Sequence, residues 1–513
     1  EEFEKALDAI GEGKAPGVDQ IPGELLKHCG REVKNKIWEV MVGHWKAEEI
    51  PQEWKDANLV TIFKKGDRTD CGNYRGIALL SVAGKVLARV LLNRLTTHVS
   101  NSIIPETQCG FRSGRSTIDM IFTLRQVQEK CIEQNRPLYV VFIDFRKAFD
   151  TVNRDALWKV LKCYGCPDRF LSLVKGFHQG MNARVCSQGE YSDPIEVRNG
   201  VKQGCVLAPT LFSIYLSAVI DDAFRDTSGG VPILTRPGPH LFDISKFKAK
   251  RKTKTVTVRE LMFADDTALM AHTHDDIQRI TSAFARSASS FGLQINMSKT
   301  EVLYQAAPGS LLSPEDILID NKPLTNVTSF TYLGSTVTST NKLDKELQIR
   351  MAKASSAFGR LSQRLWRNHN VSTSIKCKVY RAIVISTLLY GIESWTLYKC
   401  QMRKLEVYIM RHLRTIMNIR WWQHISNKEI LARAGFPSLH ALLVQRTMRW
   451  AGHVARMEDQ RLPKQVLFSQ LSSGDRKIGR PNLRYKDTMK RNLKDLARPT
   501  TQPPKPPPMK REP

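Results

Sequence analysis

The chain has 513 residues, 42% of them apolar and 25% charged, a globular composition that excludes a disordered protein and, at this length, implies two to four domains. Its formal charge of +28 is uneven: residues 341–513 carry 35 Lys/Arg against 11 Asp/Glu, and residues 1–340 carry 43 against 39. No apolar run approaches the ~20 residues that span a bilayer, and the first residues form no secretory leader, so the basic last third points to nucleic acid rather than membrane. Ten scattered cysteines suit a reducing compartment, and the expected setting is intracellular, nucleus and cytoplasm. The sequence opens without Met and reads as a piece of something longer.

In chain order, "GKAPGVDQIPGELLK" is a loop entering a helix predicted over Gly23–Val42, with Trp38 on its apolar side. "NLVTIFKKGDRTDCGNYRGIAL" predicts a hairpin with Lys64, Lys65, Arg68 and Arg75 in or beside its turn, suited to a triphosphate or merely solvated. "SVAGKVLARVLLNRL" is amphipathic, with Val86, Val90 and Leu91 inward. "RSTIDMIFTLRQVQEKC" predicts a helix capped by Ser116, with Met120, Leu124, Val127 and Cys131 as its buried stripe.

Leu138–Ile143 is a six-residue apolar run, the signature of a strand buried on both faces, and it ends in Asp144. A helix follows with Leu157, Val160 and Leu161 inward, and Asp150 caps or orders the turn before it. Cys163 and Cys166 read as two buried thiols near a helix end, and Cys377, Cys400, His412 and His424 fit no zinc spacing. After a β segment in "ARVCSQGEYSDPIEVRNGV", Gly204 supplies close backbone approach and Pro209 starts an apolar helix. Residues 225–255 form a basic insertion, read either as a nuclear-import patch or as a loop beside nucleic acid. Beyond Thr340 the pattern is helical, holds five of the nine Trp residues, and ends in a Pro-rich disordered tail.

"ELMFADDTALMA" places Asp265 and Asp266 at the turn of a hairpin whose flanks are apolar. Two adjacent desolvated carboxylates raise each other's pKa, so protonation, a metal or an ordinary Asp-Asp turn are the readings. If this hairpin lies beside Leu138–Ile143, Asp144 joins the pair at one sheet edge. Three carboxylates there suit two Mg²⁺ ions (Mn²⁺ as a substitute) and in-line phosphoryl transfer.

These residues carry a resemblance. "VVFIDFRKAFDTV", "NGVKQGCVLAPTLFSIYL", "LMFADDTALMA", "GLQINMSKTEVL" and "FTYLGS", in that order, resemble the palm motifs of reverse transcriptases of the non-LTR (LINE-type) retrotransposon group. "KAPGVDQIPGELLK", "NYRGIALLSVAGKVLARVLLNRL" and "QCGFRSGRSTIDMI" resemble its fingers segments; "LLYGIESWTL", "RWAGHVARM" and "GRPNLRYKDTMKRNLKDL" resemble its thumb and C-terminal segments. The likeness covers roughly Lys14 to Leu496. It implies an α+β right-hand polymerase fold with a basic, mainly helical C-terminal region. Fingers and fingers/palm segments occupy 1–136, palm 137–338, helical thumb 339–400, the nucleic-acid-binding region 401–496 and the tail 497–513.

The resemblance also assigns roles. Asp144, Asp265 and Asp266 would bind metal, joined by the backbone carbonyl of Phe145. Phe149 would lie beneath the incoming sugar and exclude a 2′-hydroxyl; as an ordinary core aromatic it would have no such role. Gln203 and Gly204 would contact the incoming nucleotide and template, and Arg75 with Lys64 or Lys65 would hold the triphosphate. Lys299 would protonate the departing pyrophosphate, or simply be solvated, and Tyr332, Leu333 and Gly334 would grip the primer. Partners would be template RNA, a DNA primer or target DNA, and dNTPs. Gln20 departs from the family's usual Gly, and the reading expects a member lacking the upstream endonuclease domain and the C-terminal Cys/His knuckle of some relatives. Grip on nucleic acid would then rest on the basic helical section, with stacking on Trp421, Trp422 or Trp450 if they are exposed. The competing readings are an inert or co-opted nucleic-acid-binding copy, and an intron-maturase-like or RNA-templated RNA polymerase.

Overall fold

The structure is a computed structural model and describes residues 1–99, 103–187, 189–236, 253–310, 313–475 and 482–497. Helices α1 (Glu2–Asp8), α2 (Gly23–His28), α3 (Arg31–Ala47) and α4 (Gln52–Lys55) precede strands β1 (Ala57–Phe63) and β2 (Tyr74–Leu79). The two strands pair antiparallel, Phe63 opposite Tyr74, as the basic hairpin requires. The helix expected over Gly23–Val42 is two helices, because Cys29 and Gly30 are extended (ψ 158° and 164°) and glycine lends a helix little support. With the frame restarted at Arg31, Ile37, Met41 and Trp45 form the inward i, i+4, i+8 stripe and Trp38 is left 51% exposed.

Helices α5 (Val82–Val99) and α6 (Thr117–Glu133) follow. Met120, Leu124, Val127 and Cys131 of α6 are buried as expected, but so are Arg125, Gln128 and Lys130. α6 is enclosed on all sides, between a central sheet and the C-terminal helices, and its polar groups find partners there: Lys130 Nζ donates to Ser469 O at 2.7 Å and Gln128 Nε2 to Thr338 O at 3.1 Å. Ser116 stands at the N-cap, yet its hydroxyl donates to Asp119 (3.0 Å) instead of accepting a backbone N–H, because Asp119 is turned toward Arg461.

Next come β3 (Leu138–Ile143), α7 (Arg154–Cys163), α8 (Asp168–Gly176), β4 (Asn182–Ser187), β5 (Glu190–Tyr191), β6 (Ile195–Glu196) and α9 (Ala208–Phe224). Asn153, not Asp150, caps α7, accepting the Ala156 N–H at 3.1 Å. At the end of α7 only Cys166 is buried and Cys163 is exposed. β4 pairs in parallel with β1, so residues 182–196 extend the first sheet.

Strands β7 (Val231–Thr235) and β8 (Lys254–Val258) flank the basic segment, whose residues 237–252 lie outside the described residues, as does the tail from 498 onward. β9 (Glu260–Phe263), β10 (Asp266–Ala271), α10 (His274–Ser290), β11 (Glu301–Gln305), β12 (Leu318–Ile319), β13 (Lys322–Pro323), β14 (Thr325–Val327), β15 (Ser329–Tyr332) and β16 (Ser335–Thr338) complete the sheet region. The central sheet runs β14-β11-β3-β10-β9. β3 is its middle strand and alternates between two cores. Tyr139, Val141 and Ile143 enter one, with α9 and α10; Leu138, Val140 and Phe142 enter the other, with α6. A continuous apolar run is what such a position demands.

Helices α11 (Asp344–Arg360), α12 (Thr373–Val379), α13 (Ser386–Leu388), α14 (Lys399–Ile416), α15 (Asn427–Arg433), α16 (Leu439–Arg456) and α17 (Leu462–Leu467), strand β17 (Ser469–Leu471) and helix α18 (Tyr485–Ala497) form the remainder. One apolar core runs from Leu343 to Leu439. A second gathers Trp450, Val454, Phe468, Tyr485 and Met489 around Phe122 of α6. Among the described residues no helix is long and apolar enough to cross a membrane.

Candidate active site

The acid hairpin forms, β9 against β10, but its turn is Ala264 and Asp265 and not the two aspartates: Asp266 pairs with Phe263 as the first residue of β10. On its other side β10 pairs antiparallel with β3, Thr267 opposite Ile143. One residue further along that register Asp266 faces Asp144, so the sheet brings Asp144, Asp265 and Asp266 to one edge. Burial and then the Asp144 charge raise the Asp265 carboxyl, against an opposing pull from the Arg75 guanidinium. Asp266 keeps contact with solvent, yet desolvation, followed by the charges of Asp265 and Asp144, pushes it up to about 6.

Asp144 is held from a direction the sequence did not reveal. The loop Gln294–Thr300 folds under it: the Asn296 side-chain amide donates to Asp144 Oδ2 at 3.0 Å, the Asn296 N–H to Asp144 O at 2.7 Å, and the Asp144 N–H to Thr300 Oγ1 at 3.4 Å. Lys299 belongs to the same loop, its Nζ 3.7 Å from Asp144 Oδ2. The bridge between Phe145 and Ile295 takes its hydrogen bonds from flanking residues, Asn296 N–H to Asp144 O and Arg146 N–H to Gln294 O, and does not use the Phe145 carbonyl.

Phe149 stacks on Phe212 (4.6 Å, 21°) and meets Phe111 edge-on (6.3 Å, 87°). Phe111 is 52% exposed at φ +58°, an unusual state for a bulky side chain. Gly204 has φ +122°, and a Cβ there would stand 2.4 Å from the Ala78 carbonyl oxygen, so the predicted close approach is real. Gln203 O accepts the Ala78 N–H at 2.8 Å, binding this turn to β2. Arg75 on β2 is exposed and its charge reaches Asp265. Lys64 and Lys65 are exposed at the hairpin turn, and the Lys64 charge reaches Asp150.

Leu333 (φ +48°) and Gly334 (φ +78°) make the two-residue turn between β15 and β16. Tyr332 is buried, donating its hydroxyl to Leu261 O at 3.0 Å, and burial followed by the Asp266 charge raises its phenol well above the usual range. The Leu333 carbonyl accepts from Tyr390 at 2.9 Å and the Gly334 carbonyl from Arg350, so the helical region holds this turn.

Sequence reasoning missed Asn296, Thr300, Phe111 and Gln108, whose amide grips Ala264. "NMSKT" and "QCGFR" carried polar residues inside quoted motifs, which was the available signal. Of the late tryptophans, Trp421 is 82% and Trp422 58% exposed, while Trp450 is core, 5.5 Å from Phe122. Cys377 is buried and Cys400 exposed.

The donor set fits a hard divalent cation. Carboxylates with raised proton affinity gain most from an ion that neutralises them, and oxygen ligands suit Mg²⁺ or Mn²⁺. Among the described residues no three His, Cys, Asp or Glu already stand at ligand spacing. The metal-free protein should therefore lose stability as pH rises from about 4 to about 6. Across that window the folded chain holds a proton on Asp266 that the unfolded chain releases. Asp266→Asn is expected to raise the melting temperature in EDTA at pH 7.5 and to do so less at pH 5. Equal shifts at both pH values, or a decrease at pH 7.5, would refute this electrostatic account.

A carboxylate-edged, mainly antiparallel sheet with a basic hairpin whose Arg75 charge reaches Asp265, followed by a helical region, defines the right-hand polymerase class. The chain belongs to the reverse transcriptase (RNA-dependent DNA polymerase) family, whose pattern matches residues 62–337, more than half its length. It is similar to the RNA-directed DNA polymerase from mobile element jockey of Drosophila melanogaster, 22% identical over 440 residues, covering 84% of this chain and 45% of that protein. It is also similar to the retrovirus-related Pol polyprotein from type-1 retrotransposable element R2 of Popillia japonica, 27% identical over 331 residues, covering 62% and 42%. The chain thus spans about half the length of the curated relatives it matches. Among solved structures, telomerase from Candida tropicalis with a fragment of telomeric RNA aligns at a TM-score of 0.40 and 14% identity, over 84% of this chain and 68% of that one.

Proposed function

We propose that this chain is the polymerase portion of a non-LTR retrotransposon protein and extends a DNA primer on an RNA template with dNTPs. The observation that carries the reading is the convergence of Asp144, Asp265 and Asp266 at one sheet edge. Divalent cations, when bound, supply activation of the primer 3′-hydroxyl and stabilisation of the departing oxygen. Asp144, Asp265 and Asp266 hold them, with the Phe145 carbonyl as a further ligand. Arg75, Lys64 and Lys65 bind the triphosphate. Gln203 and Gly204 form the floor under nucleotide and template. Lys299 delivers a proton to pyrophosphate, and Tyr332–Gly334 seat the primer end. The five segments, from fingers at 1–136 through palm, thumb at 339–400 and basic region at 401–496 to the tail, follow the family order.

Trp421 and Trp422 lie between α14 and α15, where residues 399–433 carry eight Lys/Arg and two Glu. Exposed indoles in such a basic stretch suit stacking on unpaired bases, worth about 1–3 kcal/mol per base. Nuclear placement follows from the DNA target in this reading.

Purified chain, an RNA template annealed to a DNA primer, dNTPs and Mg²⁺ test the function. Templated extension is expected; duplex binding without extension would favour the inert-copy reading. Phe149→Val is expected to lower the preference for dNTPs over rNTPs by about 10–100-fold. It leaves the Phe212 contact partly filled. An unchanged sugar preference would return Phe149 to the core.

A further inference from the structure

We propose that Gln108 is a positioning residue for the Ala264–Asp265 turn: its buried side-chain amide grips both backbone polar groups of Ala264 and so fixes Asp265 for metal binding. The last clause rests on the polymerase reading; the grip does not.

Ala264 is almost wholly buried and holds φ +59° without being glycine. Two-residue hairpin turns adopt positive φ readily with Asn-Gly or Gly, and neither is present here. The turn is therefore held from outside. Gln108, with no exposed surface, accepts the Ala264 N–H on Oε1 at 2.9 Å and donates from Nε2 to the Ala264 carbonyl at 3.2 Å. Oε1 also accepts the Gly110 N–H at 2.9 Å, which fixes the amide's orientation, since a flipped amide would set donor against two donors.

The main chain reinforces the side chain. Cys109 N–H donates to Met262 O at 2.9 Å, and Met262 N–H to Thr107 O at 2.8 Å, so residues 107–110 lie along β9 like a splint. At Gly110 a Cβ would stand 2.2 Å from the Ala264 nitrogen, which makes glycine the residue that lets the splint approach. An amide suits this position because it offers donor and acceptor together without charge. A carboxylate would lose the bond to the Ala264 carbonyl and add a negative charge beside Asp265.

The test uses the full chain with Gln108→Leu, Gln108→Glu and Gln108→Leu/Ala264→Gly. Two readouts need no polymerisation: hydrogen exchange at the Ala264 amide, and Mn²⁺ binding followed by electron paramagnetic resonance without substrates. Gln108→Leu is expected to speed Ala264 exchange at least about 10-fold, leaving the β10 amides protected, and to weaken Mn²⁺ binding about 10–100-fold. In primer extension kcat should fall by a similar factor, with KM for template-primer within about 3-fold. Glycine at 264 enters the left-handed region without strain and should recover part of each loss. Gln108→Glu, which keeps the acceptor, should loosen the turn less than Gln108→Leu and serves if the leucine variant does not fold. Wild-type exchange and Mn²⁺ affinity in Gln108→Leu would overturn the proposal. So would loss of β10 protection together with the turn and no recovery by glycine. A wild type that never polymerises, with a turn that still loosens on Gln108→Leu, would remove the polymerase reading and leave the grip standing.

Discussion

Asp265→Asn is expected to cut nucleotide incorporation by at least about 10³-fold while leaving the protein folded. Losing a metal ligand removes several kcal/mol of transition-state stabilisation, and about 1.4 kcal/mol corresponds to each factor of ten. Asparagine has nearly the shape of aspartate, and burial already disfavours the ionised form of Asp265. The metal-free variant should therefore melt at or above the wild-type temperature, so the lost activity cannot be assigned to unfolding. Asp144→Asn differs in kind. It removes the charge that Lys299 meets at 3.7 Å and weakens the bond that Asn296 makes, so it should disturb the Gln294–Thr300 loop as well. Single-turnover incorporation with melting curves for both variants checks this. Wild-type rates in Asp265→Asn would end the metal-site reading.

The second large effect lies away from the chemistry, where the helical region meets the β15–β16 hairpin. Glu346 is fully buried and accepts from Arg350 Nε at 2.8 Å, Thr336 N–H at 2.7 Å and Ser335 Oγ at 3.2 Å. Arg125 of α6 reaches the same hairpin, donating to Thr336 O at 2.8 Å and Ser335 Oγ at 3.1 Å. Burial lowers the Arg125 pKa to about 10, and the Glu346 charge works against that shift. Glu346→Ala would leave two buried guanidinium groups without their anion, at a cost of about 3–5 kcal/mol. The expected results are a lower denaturation midpoint, faster hydrogen exchange across residues 329–338, and weaker extension as Tyr332–Gly334 lose support. Glu346→Gln, which keeps the shape, should fall between. Unchanged exchange in the hairpin of Glu346→Ala would show that the junction is held by something else.

Much of the site was legible because its signals are local. "LYVVFI" announces a strand buried on both faces, "FADDT" a tight hairpin turn, though one residue earlier than the acid pair, and Gly204 a close approach; each depends on side-chain period or backbone freedom within a few residues. The frame of α3 was misread because a single break at Cys29–Gly30 rotates every later side chain about the axis, carrying Trp38 outward. The stripe of Met120, Leu124, Val127 and Cys131 in α6 follows from helical period, but the burial of Arg125, Gln128 and Lys130 does not, because it depends on their partners. Those partners are Ser335, Thr336, Thr338 and Ser469, more than 200 residues away.

The sequence by itself determined most of the elements, the basic last third and which three carboxylates to look for, because these follow from composition and short-range pattern. Tertiary structure alone decided that β10 lies against β3 so that Asp144 meets Asp266, and that β4 joins β1. It alone decided that Asn296 and Gln108 reach the acidic edge from loops about 150 residues distant in sequence from the groups they hold. Strand pairing and buried polar contacts reward complementarity between surfaces formed by distant segments, and no local period encodes which segment that will be.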